Sequence, residues 1–224
     1  RVMIKMSEIT GRTAELMKTL APTYFTPDEL TVATGGPDVA AEFASLPFDH
    51  LFFTGSPTVG GLVQRAAADN LVPVTLELGG KNPVVVAPNA DIGRSATRLA
   101  QARMVNGGQV CVCPDYVLVP EQRVQAFVDG LLSQWRTMFP TIIDNGDYCS
   151  AVNDANFDRV LSLIEDARER GATVQQAVPD GESLPDRATR KIPPTVIRDV
   201  DDDMRIAAEE VFGPVLTVRG YRRL

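Results

Sequence analysis

Histidine is nearly absent from this chain of 224 residues, with His50 the only one. That scarcity works against the usual arrangement in which an imidazole activates a nucleophile. His50 itself, just ahead of the apolar run LFFTG, reads as a loop or strand-edge residue rather than a catalyst. Cysteine is sparse as well. Cys111, Cys113 and Cys149 are an odd number in a chain this long, which makes no disulfide framework and points to a reducing, cytoplasmic setting. The C-x-C pair with one further thiol and no matching histidines is a poor zinc set, so no metal is expected.

Clustered positive charge is missing too. The formal net charge is −7, with acids spread along the chain and densest from Asp199 to Asp203. A phosphate-backbone binder needs a stripe of Lys and Arg, so nucleic acid is excluded as an expected partner. Long apolar runs are lacking, PVVVA at 83–87 being far too short to span a bilayer, and no membrane partner is expected. The opening residues, Arg1 to Lys5, carry no initiator Met or targeting segment and read as the interior of a strand; PVLTVRGYRRL reads as a strand just ending. The expectation is therefore that both ends are cuts through a larger protein, the alternative being a small protein with a processed amino terminus.

What remains is an ordinary globular composition, 44% hydrophobic and 23% charged, which can bury a core of one or two domains and by itself names no function. Short apolar runs alternate with amphipathic segments, the pattern of an α/β fold with parallel strands under helices. Strands are expected at 1–5, 30–34, 50–55, 74–78, 83–87, 116–119, 173–177 and 214–219. Helices are expected at 8–20 with Ser7 as cap, 37–45, 58–68, 91–105, 121–137 and 153–170, the last stopped by Gly171. Gly79-Gly80 breaks two strands and makes a plausible hinge, dividing the chain into domains 1–78 and 79–224.

Four strings carry chemistry. In HLFFTGSPTVGG a strand runs through Gly55-Ser56 into a helix, whose unpaired N–H groups would face a bound phosphate, although this is not the GxGxxG fingerprint and a Gly-Ser turn is often plain punctuation. In VTLELGGK, Glu77 stands in an otherwise apolar strand, where desolvation would favour its protonated form and suit a general base; pairing with Lys81 is the plainer alternative. In GGQVCVCPDY, glycines ahead of Cys111 would let the backbone approach a small electrophile and the cysteine N–H donate to an oxyanion. Cys111 could equally be a small buried hydrophobe, and Cys113 the working sulfur or a redox partner. In AAEEVFGPVLTV, adjacent glutamates precede a Phe-Gly-Pro turn and read alone as surface, as do Lys5 and Glu8.

Together, FFTGSPTVG, VTLELGGKNP, GGQVCVCPDY and EEVFGPVLTV, in this order, resemble the aldehyde dehydrogenase superfamily over nearly the whole chain. The string GQVCVCPDYVLV is most similar to its class 3 or fatty-aldehyde-like branch, and within it to bacterial oxidisers of coniferyl aldehyde. The resemblance implies a Rossmann-like NAD-binding portion followed by an α/β catalytic domain. It implies that Cys111 is the nucleophile and Glu77 the base. Gly55, Ser56, Pro57, Thr58, Val59 and Gly60 would lie beside the pyrophosphate with Leu78 close by. Glu210 and Phe212 would serve the nicotinamide ribose and ring, and Lys5 and Glu8 the adenosine ribose, with Met6 where the family usually has proline. NAD is the expected cofactor with NADP tolerated, a small aldehyde the substrate, and a second copy of the protein the partner. The alternatives are a cousin that reduces an acyl phosphate or acyl-CoA, and a non-catalytic truncated scaffold. Members are about twice this long, and an upstream asparagine that shares the oxyanion hole lies outside the chain.

Overall fold

A computed structural model describes residues 1–223. The chain divides into two compact units, one of Arg1–Gly79 and one from Gly80 onward.

The first unit consists of two β-α-β passages. Strand β1 (Val2–Lys5) leads through a 3-10 turn (Glu8–Thr10) into α1 (Gly11–Tyr24) and then β2 (Leu30–Ala33), which pairs parallel to β1. Helix α2 (Pro37–Ala44) follows, then β3 (Leu51–Gly55), α3 (Pro57–Ala68) and β4 (Val74–Leu78), with β3 and β4 parallel and Gly55 opposite Leu78. The helix expected over 8–20 starts later and runs further. Ser7 does serve as a cap, but of the 3-10 turn, its Oγ accepting from the Ile9 N–H at 3.3 Å. Pro22 is accommodated in the last turn of α1, which closes with Phe25 N–H donating to the Ala21 carbonyl. The larger buried side chains of this unit are Leu51 and Val72, which pack with Ala44 and Ala67 against Phe43, Phe48 and Val63. Burial contributes about 1.5–3 kcal/mol per large apolar side chain, so this core is a modest one.

The second unit carries a five-stranded sheet in the order β5-β6-β9-β8-β7, built from β5 (Asn82–Val85), β6 (Pro114–Pro120), β7 (Thr173–Gln176), β8 (Thr195–Arg198) and β9 (Val215–Tyr221). All neighbours are parallel except β7, which runs antiparallel to β8 at one edge. Successive residues of β8 and β9 face opposite sides, as a pleated strand requires. Val196 and Leu216 enter one core with α4 (Ile92–Met104) and α5 (Val124–Met138), while Ile197 and Val215 enter another with α6 (Asp154–Glu169). Trp135 of α5 is fully buried and its Nε1–H donates to the Ala100 carbonyl at 3.0 Å, tying α5 to α4. Asp91 and Asn153 cap α4 and α6 through the Arg94 and Asn156 N–H groups, and Gly171 ends α6 at φ +96°.

Strand β8 and the short helix α7 (Arg205–Ala208) were not expected from the sequence. Covered on both faces, β8 has no polar alternation to reveal it, and Pro193-Pro194 ahead of it suggest a loop. Among the described residues no helix is long and apolar enough to cross a membrane.

Candidate active site

In the first unit, the candidate binding residues lie at the ends of parallel strands. The segments that leave β1 and β2 at their carboxyl ends, Met6-Ser7-Glu8 and Thr34-Gly35-Gly36, line a concavity of about 420 Å³. Crevices at such strand ends are where open α/β sheets take their ligands. Gly35 has φ +151°, and a Cβ there would lie 2.5 Å from Val39 Cγ2, so this wall must be glycine. Lys5 Nζ donates to Glu8 Oε2 at 3.1 Å. Glu8's own backbone N–H and then Lys5 hold its carboxyl below the usual range, keeping it an acceptor. This donor set fits the ribose of a dinucleotide: a carboxylate for hydroxyls beside a cation.

In the second β-α-β passage of the unit, Ser56 caps α3 with its own Oγ, which accepts the Val59 N–H at 3.3 Å, and Pro57 has no N–H to offer. Fewer helix-start donors are therefore open to a phosphate than the sequence suggested. Gly60 packs against Leu78, whose Cδ2 would lie 2.7 Å from a Cβ at that position. Gly55, Gly60 and Leu78 thus meet where β3 and β4 end. Glu77 pairs in register with Thr54 and is exposed, not desolvated as its apolar strand had implied. Val74 of the same strand packs against the small core and Leu76 and Leu78 are half-buried, whereas the Glu77 side chain reaches water. His50 is a strand-edge residue, its Nε2 3.0 Å from Thr75 Oγ1.

In the second unit, the thiol loop follows α4. Asn106, Gly107 and Gly108 are consecutive left-handed residues at φ +50°, +62° and +78°, a conformation that glycine adopts freely and asparagine tolerates best among the others. Gln109 holds this turn from both ends of its amide, donating to the Asn106 and Ser150 carbonyls at 3.0 Å and accepting the Val152 N–H at 2.9 Å. A second turn closes from the Cys113 N–H to the Val110 carbonyl at 2.9 Å, and Asn82 Nδ2 donates to the carbonyls of Cys111 at 2.8 Å and Cys113 at 3.1 Å. The two cysteines therefore part company. Cys111 is exposed, while Cys113 is buried, facing the Ala102 and Arg103 carbonyls, and burial pushes its thiol up.

Glu210 and Phe212 stand between α7 and β9 in a segment held by charged side chains. Arg103, 1% exposed, donates to the carbonyls of Pro114 and Gly213. Desolvation lowers its guanidinium from the usual range, with Asp115 opposing that shift. Arg159 reaches the Glu210 and Val211 carbonyls at 3.1 and 2.7 Å. Lys81 is bound by Asp115 at 2.8 Å. Asp115, Asn82, Gln109, Arg103 and Arg159 were not singled out from the sequence. Asp115, Asn82 and Gln109 lie inside the motif strings, but spacing alone does not say whom a side chain will meet. Among the described residues no group of three or more His, Cys, Asp and Glu could hold a metal.

The profile of the aldehyde dehydrogenase family matches residues 1–224. The chain belongs to the aldehyde dehydrogenase family. It is 48% identical over 222 residues to a probable coniferyl aldehyde dehydrogenase of Caulobacter vibrioides, covering 99% of this chain and 46% of that protein. It is 46% identical to a coniferyl aldehyde dehydrogenase of a Pseudomonas species, again over 99% of this chain and 46% of the relative. Among solved structures, the substrate-bound state of Staphylococcus aureus AldH matches with a TM-score of 0.86 at 36% identity, over 99% of this chain and 47% of that one. Pseudomonas syringae aldehyde dehydrogenase C, a mutant complexed with NAD+ and octanal, matches with a TM-score of 0.87 at 30% identity, over 99% and 47%. The chain spans about half the length of the curated relatives it matches. The α/β architecture expected from the sequence is thus that of this family.

Proposed function

We propose that the intact protein carrying this chain oxidises an aldehyde to its carboxylic acid with NAD(P), and that its substrates include cinnamyl-type aldehydes such as coniferyl aldehyde. Residues 1–78 serve as part of the dinucleotide-binding domain and 79–224 as part of the thiol-bearing one. The observation that carries this reading is the exposed Cys111, set on a turn whose carbonyl Asn82 holds, while the neighbouring Cys113 is turned inward.

The Cys111 thiolate attacks the aldehyde carbon, and the new C–S bond turns the carbonyl oxygen into an oxyanion that the cysteine N–H and the upstream asparagine of the intact protein receive. A nicotinamide dinucleotide, when held by the cofactor-binding residues, would supply the hydride acceptor that lets the thiohemiacetal become a thioester. Glu77 removes a proton from a water molecule, which adds to the thioester carbon; the C–S bond breaks, the acid leaves and Cys111 is restored. The exposure of Glu77 supports this role by giving its carboxylate access to water. Lys5 and Glu8 receive the adenosine ribose, Gly55 to Gly60 and Leu78 flank the pyrophosphate, and Glu210 and Phe212 face the nicotinamide end. NAD is the preferred cofactor, with NADP accepted, and the protein works as a cytoplasmic homodimer. Incubating the intact protein with NAD and a panel of aliphatic and cinnamyl-type aldehydes tests the proposal through NADH absorbance. NADH formation with cinnamyl-type members is expected, and none with any aldehyde removes the reading.

A further inference from the structure

We infer that Lys81 and Asp115 are positioning residues for Glu210, fixing the peptide groups on either side of it; this rests on the proposed role of Glu210 at the cofactor ribose. The Asp115 side chain is only 2% exposed. Its Oδ1 takes the Lys81 ammonium at 2.8 Å and its Oδ2 accepts the Val211 N–H at 3.0 Å. The same ammonium donates to the Glu209 carbonyl at 2.9 Å. One ion pair thus grips the carbonyl before Glu210 and the N–H after it. Lys81 immediately precedes β5 and Asp115 lies in β6, adjacent parallel strands in the same sheet, so the grip is anchored on sheet backbone, at a register irregularity where Asn82 pairs with Pro114 and Pro83 with Tyr116.

The rest of the segment is consistent with a device for aiming one side chain. Arg159 secures the Glu210 and Val211 carbonyls from α6. The carboxylate of Glu209 is occupied by Arg205 at 2.9 Å, whereas that of Glu210 joins no ion pair among the described residues. Desolvating two charges is a poor way to gain stability, since a buried pair often does no better than apolar residues of the same volume. Its advantage is geometric: a binding group must be held within about 0.5 Å of its productive place, and fixing the main chain on both sides does this.

The test uses the intact protein and measures KM for NAD, kcat, melting temperature and iodoacetamide labelling of Cys111. Lys81→Met should raise KM for NAD about tenfold, with labelling of Cys111 unchanged, and Lys81→Arg, which keeps a cation and donors, should recover most of the loss. A double variant with Glu210→Gln should be no worse than the worse single variant, because both changes act through one contact. If Lys81→Met does not fold, Lys81→Met with Asp115→Asn removes both charges together and is read in the same way. A merely structural pair would lower labelling, melting temperature and kcat together while leaving KM for NAD in place, and that result would overturn the inference. A raised KM in Glu210→Gln beside an unchanged one in Lys81→Met sinks the positioning role alone. An unchanged KM in Glu210→Gln sinks the cofactor reading of Glu210, and the positioning role with it.

Discussion

Gly108 and Gly213 meet backbone to backbone: a Cβ on Gly108 would lie 2.1 Å from the Gly213 carbonyl oxygen and 2.7 Å from its carbonyl carbon. The contact joins the turn ahead of Cys111 to the segment that carries Glu210 and Phe212, and Arg103 locks it by donating to the same Gly213 carbonyl. Gly108→Ala would have to displace main chain and also hold φ +78° with a side chain, a combined cost of about 3 kcal/mol or more. Thermal denaturation should show a large fall in melting temperature; a wild-type value would mean that the two segments are not packed this way.

Cys111 and Cys113 should differ sharply towards iodoacetamide. In the folded protein Cys111 is alkylated first, and Cys113 reacts only on unfolding, as mass spectrometry of the peptides will tell. Cys111→Ala abolishes turnover, whereas Cys113→Ala keeps it and loses about 1 kcal/mol of packing. Because burial raises the Cys113 thiol, the folded state holds that proton more tightly than the unfolded one. The resulting stability is complete below the unfolded thiol range, about pH 8.5, and is lost as pH rises through the folded value. Cys113→Ala should flatten that alkaline decline; the reverse pattern, with Cys113 labelled first, would exchange the two assignments.

Glu77→Gln keeps the size of the side chain but removes the proton acceptor. Thioester hydrolysis should slow by about a hundredfold or more, while the first turnover, read as a burst of NADH in stopped flow, stays near normal. Loss of the burst with no effect on hydrolysis would assign Glu77 to another step.

Glu8 remains ionised beside Lys5 and would repel a 2′-phosphate while accepting from a 2′-hydroxyl. Glu8→Gln should shift the ratio of kcat/KM from NAD towards NADP by about tenfold. An unchanged ratio in initial-rate measurements would place cofactor choice elsewhere.

Much of the architecture was legible in the chain because local patterns suffice for it. β1 to β4 and the helices between them follow runs such as LTVAT and LFFTG broken by glycine and proline, and α6 stops at Gly171 as its sequence predicts. β8 was not legible, since a strand covered on both faces shows no alternation. Burial was misjudged at Glu77, because an apolar strand does not say which of its sides meets the core.

By itself, the sequence determined the α/β class, the order of the chemical strings and the near absence of histidine, on which the proposed use of a cysteine with an acid rests. Those are properties of residue type and short-range spacing. Only the tertiary structure decided that Cys111 is presented and Cys113 turned inward, that Lys81 belongs to Asp115, and that Gly108 has room for nothing but hydrogen against Gly213. Each of these depends on which distant backbone segment comes to lie alongside, and hydrogen bonds and steric exclusion act over a few ångströms of space, whatever the separation along the chain.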